Sequence, residues 1–107
     1  MVHLSADTAE AIGGLVARLL RQWREETRYL SSSTAMTGNV AYLDLIALGP
    51  VALPFLFRDI EQTGDGHLSK ALTEITGAHP VPAEERGHVR KVAERWLHWA
   101  RENGYQW

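Results

Sequence analysis

Arg21, Arg24 and Arg28 are spaced to share one face of a helix, since residues three and four apart are neighbours there. Guanidinium forks bind phosphate or carboxylate through paired hydrogen bonds, so the stripe is a candidate nucleic-acid contact, with Arg18 near its edge. Glu25 and Glu26 dilute it, and the formal net charge of −2 gives no bulk attraction to a polyanion. Asp59, Glu61 and Asp65 add repulsion wherever they lie close to it. The balance favours a solvated or salt-bridged face, with weak and salt-sensitive nucleic-acid affinity as the alternative.

Other reactive constellations are incomplete. The segment GDGHLS places Asp65-Gly66 at loop positions five and six of a calcium-binding helix–loop–helix. Position one is then Glu61, position three is Thr63, and position twelve is Leu72 where a bidentate Glu is needed. His3, His67, His79, His88 and His98 show no i, i+4 pair and no HExxH, while zinc requires three or four converging ligands. Ser31, Ser32 and Ser33 lack a glycine-flanked elbow. Glu25, Glu26, Asp44 and Asp59 form no paired arrangement. Asp44, inside the apolar run AYLDLIAL, faces solvent or pairs with an arginine of the first helix. With no cysteine, disulfides, thiolate metal sites and Cys nucleophiles are excluded. No catalytic, cofactor or metal residue is assigned, and the chain is expected not to be an enzyme.

Aromatic residues carry more weight. Trp23 and Trp96 fall on apolar stripes and read as core. Trp99 is offset from the stripe of the last helix, and Tyr105 and Trp107 close the chain. Trp and Tyr supply much contact area at little entropic cost, so Trp99, Tyr105 and Trp107 are the candidate protein interface.

These residues must be positioned by helices, because no strand-like alternation occurs. The first helix is expected over Asp7 to Tyr29, capped by Ser5 or Asp7, with Ile12, Leu15, Val16, Leu19, Leu20, Trp23 and Leu30 on one face. Gly13-Gly14 costs it about 1–2 kcal/mol in propensity, so either another helix packs closely there or its first turns fray. Ser31 to Asn39 reads as a polar surface loop. A second helix runs from Asn39 to Gly49 with Val40, Leu43, Ile46 and Ala47 inward. Pro50 suits a first helical position, and Leu53, Leu56, Phe57 and Ile60 define a third helix. After the turn Thr63 to Gly66, a fourth helix carries Leu68, Ala71, Leu72 and Ile75 and stops at Gly77. Ala78 to Ala83 is extended by its prolines. The fifth helix spans Ala83 to Asn103 with Val89, Val92, Ala93, Trp96 and Ala100 inward, and Gly104 and Tyr105 end it as a left-handed cap.

The landmarks Leu48-Gly49, Ala52, Pro54, Leu56 and Ile60, then Ala71-Leu72, Ile75 and Gly77, resemble a HEAT-like helical repeat over about residues 43–77. The wider pattern of Trp23, Glu26-Thr27, Leu30-Ser31-Ser32, Ile75-Thr76-Gly77, Pro80-Val81-Pro82, Trp96-Leu97 and Gly104-Tyr105 is similar to that of short stand-alone bacterial proteins of uncharacterised role. The resemblance implies a helical surface that binds other macromolecules, and it carries no catalytic residues.

At 107 residues the chain is expected to be a single domain, 1–107. It reads as all-α, a compact array of four to five helices around a central HEAT-like hairpin. No apolar run is expected to approach the ~20 residues that cross a bilayer, and the expected location is the cytoplasm. The expected function is a protein–protein interaction module, of the antitoxin or immunity type, whose partner is another protein or its own copy and which needs no cofactor. The alternative is a nucleic-acid-binding helical adaptor using Arg21, Arg24 and Arg28.

Overall fold

Ser5, Ser32 and Asn39 each turn a side-chain oxygen onto backbone N–H groups two or three residues ahead, and a helix starts after each. In the computed structural model, which describes residues 5–107, these helices are α1 (Ala6–Thr27), α2 (Ser33–Thr37) and α3 (Val40–Leu48). They are followed by α4 (Leu53–Thr63), α5 (Ser69–Thr76) and α6 (Val89–Glu102), with 3-10 turns at Gly49–Ala52, Gly66–Leu68 and Ala83–Glu85. The described residues contain no strand, and the protein is all-α. His3 lies outside the described residues.

Gly49, Gly64, Gly77 and Gly104 adopt positive φ at the helix ends, the conformation that glycine reaches without a Cβ clash. At the last of these, Tyr105 N–H donates to the Ala100 carbonyl and Gly104 N–H to that of Arg101. This pair of bonds satisfies the free carbonyls of α6 and folds the C-terminus back, as expected from Asn103-Gly104-Tyr105.

The core joins one face of every long helix. α3 packs mainly against α1 and α5, and α4 against α6 and α1. Val16, Leu19, Leu20 and Trp23 of α1 meet Tyr42 and Leu45 of α3, Leu53, Leu56, Phe57 and Ile60 of α4, Leu72 of α5 and Trp96 of α6 in one buried cluster. The Cα radius of gyration is 13.3 Å, against about 13 Å for a single folded domain of this length. Buried side-chain nitrogen and oxygen atoms all have hydrogen-bond partners among the described residues. Trp23 Nε1 donates to the Met36 carbonyl and Trp96 Nε1 to Ser69 Oγ.

Several expectations are corrected. α1 ends at Thr27, so Leu30 is exposed instead of inward. The Ser31–Asn39 segment contains α2, whose Met36 carbonyl is the acceptor for Trp23. α3 is rotated from its expected orientation: Ala41, Tyr42 and Leu45 are buried, while Val40 is 66% and Leu43 49% exposed. Ala47 is exposed as well. Both faces of α3 are apolar, so spacing supplies no phase; the large Tyr42 takes the inner face because its hydroxyl finds two backbone partners there.

α6 begins at Val89 instead of Ala83. Glu85 accepts from Arg95 through Nε and Nη2 at 3.0 and 2.7 Å. In one continuous helix, ten residues would separate them by about 15 Å of rise, so the chain turns back over Arg86-Gly87.

Val40–Thr63 is long and apolar enough to cross a membrane by length and composition, which corrects the expectation that no such run exists. It is interrupted where Gly49 stands at φ 72 between α3 and α4, and it supplies Tyr42, Leu45, Leu53, Leu56, Phe57 and Ile60 to the core.

Candidate functional site

Gly13 resolves the question raised by the glycine pair. A Cβ there would lie 2.8 Å from Phe55 Cε1, so α4 approaches α1 at this point and the first turns are pinned. Gly14 has nothing within 4 Å. Alongside Phe55, α1 and α4 line an open groove of about 600 Å³. Val16, Ala17, Leu20 and Phe55 contribute its apolar floor, and Arg21, Arg28 and Arg58 stand along it.

The arginine stripe is therefore not a uniform cationic face. Arg24 is locked inward: Nη1 and Nη2 donate to the two oxygens of Asp59 at 2.9 and 2.6 Å, and Nε and Nη2 to Asp65 Oδ2 at 3.3 and 3.0 Å. The hydrogen bonds it donates to Asp59, with further support from the charges of both carboxylates, hold the Arg24 guanidinium charged well above its ordinary range. Arg28 pairs with Glu25 and lies over the Tyr29 ring. Arg21, exposed, has no ion pair among the described residues, and neither does Arg58, which lies over the Phe55 ring at 5.9 Å. As candidate nucleic-acid contacts, Arg21, Arg24 and Arg28 are thus unequal, and Arg24 forms a cross-link between α1, α4 and the following turn. Arg58 was not signalled by the sequence, because it joins the stripe only when α4 packs beside α1.

Asp65 also accepts from the His67 backbone N–H and lies 2.9 Å from His67 Nδ1. Both of its oxygens are thereby engaged, and GDGHLS forms a tight inter-helix turn. Gly66 is buried in it, and a Cβ would fall 2.2 Å from the Val89 carbonyl oxygen. Among the described residues no three His, Asp or Glu converge as a metal-holding group. Asp44 faces solvent.

The aromatic candidates come together. Trp99 stands edge-on to Trp96 with ring centroids 5.5 Å apart and stacks on Tyr105 at 5.7 Å. Phe57 receives both Tyr105 and Trp107 at 5.4 Å. Arg101 covers Trp107 and pairs with Glu61, which also accepts from Trp107 Nε1. Trp99, Tyr105 and Trp107 are half-buried at the rim of the core and hold the C-terminus against α4 and α6.

The exposed apolar surface lies elsewhere. Val40, Leu43 and Ala47 follow one another at helical spacing along the outer face of α3, interrupted only by Asp44. Asn39 donates to Glu26, which brings the exposed Tyr29 and Leu30 at the end of α1 to the same end of the molecule.

Comparison with known proteins finds no matching family model, no similar curated protein and no similar solved structure.

Proposed function

We propose that this chain is a non-enzymatic protein–protein interaction module built on a HEAT-like hairpin. The observation that carries the reading is the outer face of α3, where Val40 and Leu43 are 66% and 49% exposed. A helix that is apolar on both sides is ordinarily covered on both sides, and exposed apolar stripes mark contact surfaces. The occupant is a different protein and not a second copy. A two-fold pairing centred on this stripe would bring Asp44 against its twin, a like-charge contact. A partner offering apolar side chains around a cationic group meets both features. An antitoxin or immunity-type partner of a neighbouring gene product is one protein of this kind.

The test is capture of the adjacent gene product, with light scattering of the isolated chain, for the native sequence and for Leu43→Glu. Helicity is expected to be unchanged and capture lost. Undiminished capture removes α3 from the interface, self-association abolished by Leu43→Glu makes the occupant a second copy, and recovery of nucleic acid in place of protein transfers the reading to the arginine adaptor. That alternative draws on Arg21 and Arg58 alone, since Arg24 and Arg28 are paired with carboxylates.

A further inference from the structure

We infer that the groove between α1 and α4 is a binding site for an acidic amphipathic peptide segment of a partner protein. The inference rests on the reading of the chain as a protein-binding module and names the chemistry recognised at a second face, since no lining residue of the groove belongs to α3.

Three observations set the occupant. The volume of about 600 Å³ falls within the range that encloses a few bulky side chains. The floor formed by Val16, Ala17, Leu20 and Phe55 is apolar, and Phe55 seats on Gly13 beside it. Charge decides the rest. The groove is lined by Arg21, Arg24, Arg28 and Arg58 against Glu25 and Asp59. Both carboxylates are already held, by Arg28 and Arg24. Arg21 and Arg58 therefore stand over the floor as charges without a counter-ion among the described residues. Guanidinium forks above an apolar trough select a carboxylate one helical turn from an apolar side chain. A nucleic-acid strand fits less well. Its sugar–phosphate backbone carries no apolar side chain to fill the floor of Val16, Ala17, Leu20 and Phe55 beside the two guanidinium groups.

The test uses the full chain and three fluorescent probes followed by anisotropy. They are an amphipathic Leu/Glu peptide of about 16 residues, its Leu/Lys counterpart, and a single-stranded oligonucleotide of similar reach. The Leu/Glu peptide is expected to saturate below about 1 mM and to bind at least about tenfold more tightly than the Leu/Lys peptide. The combined variant Arg21→Glu, Arg58→Glu, both on exposed positions, is expected to invert that preference with unchanged helicity. Ala17→Trp, which fills the floor without altering charge, is expected to weaken the Leu/Glu peptide by at least about tenfold. Failure to saturate, equal affinity for the two peptides, or indifference to both variants overturns the site, as does tighter oligonucleotide binding. Leu43→Glu separates the two proposals. It is expected to abolish partner capture and leave peptide affinity intact, and loss of peptide binding in that variant places the contact on α3 and overturns the groove.

Discussion

The Tyr42 hydroxyl accepts the Ala71 backbone N–H at 2.9 Å and donates to the His67 carbonyl at 2.8 Å, so a side chain of α3 caps the start of α5. α5 has no side-chain cap of its own, being preceded by Leu68, and the first N–H groups of a helix need partners. Trp23 lies against the same ring at 5.1 Å. One buried phenol thus ties α1, α3 and α5 together and orients the outer face of α3.

Tyr42→Phe is expected to destabilise by about 1–3 kcal/mol, because the N–H and C=O that it serves lose their partner. Burial raises the phenol above its ordinary 10.0. The unfolded chain therefore releases this proton first, and the stabilisation is complete below pH 10.0 and lost as pH rises through the folded value. Denaturant melts from neutral pH into the alkaline range check both parts. The difference between native and Tyr42→Phe should shrink on the alkaline side.

The orientation of α3 makes opposite demands on two leucines two residues apart. Leu45 is fully buried and Leu43 is half exposed. Leu45→Ala is expected to cost about 2–5 kcal/mol, and Leu43→Ala to stay within about 0.5 kcal/mol. Equal losses in denaturant melts would mean that the helix is rotated.

Two glycines separate close approach from mere tolerance. Gly66→Ala drives a methyl into the Val89 carbonyl, where backbone cannot yield, and is expected to cost at least about 1–3 kcal/mol. Gly14→Ala meets open space on a helix interior and is expected to stabilise by about 0.5–1 kcal/mol. Thermal midpoints should move in opposite directions.

Arg24 and Arg21, neighbours on one helix, should behave unlike each other. Arg24→Gln leaves Asp59 and Asp65, whose side chains are only 16% and 17% exposed, without their cation. A loss of about 1.5–3 kcal/mol is expected from hydrogen bonds to charged groups, whereas Arg21→Gln should stay within about 0.5 kcal/mol. Melts of the two variants at one salt concentration decide the matter, and a neutral Arg24→Gln would show that the cross-link contributes nothing.

Much was legible locally because the responsible forces are local. Asn39, Gly64, Gly77 and Gly104 mark helix ends through bonds within a few residues. The inward faces of α1, α4, α5 and most of α6 follow from one-sided stripes that have a single way to be buried. Leu43 was misplaced because Val40, Leu43 and Ala47 are as apolar as Ala41, Tyr42 and Leu45, and a pattern apolar on both sides has no phase. The start of α6 was misplaced because the Glu85–Arg95 pair that turns the chain back lies between residues ten apart.

The sequence by itself determined that this protein is helical, where most helices cap, and which stripes of α1, α4 and α5 must be covered, since these depend on hydrogen bonds and spacing within a turn or two. Tertiary structure alone decided which arginines remain free, which face of α3 meets solvent, and that a groove lies between α1 and α4. Arg24 finds Asp59 thirty-five positions away, and Arg58 joins Arg21 only when Phe55 seats on Gly13. Charge balance at a site is a sum over neighbours in space, and spacing along the chain does not contain it.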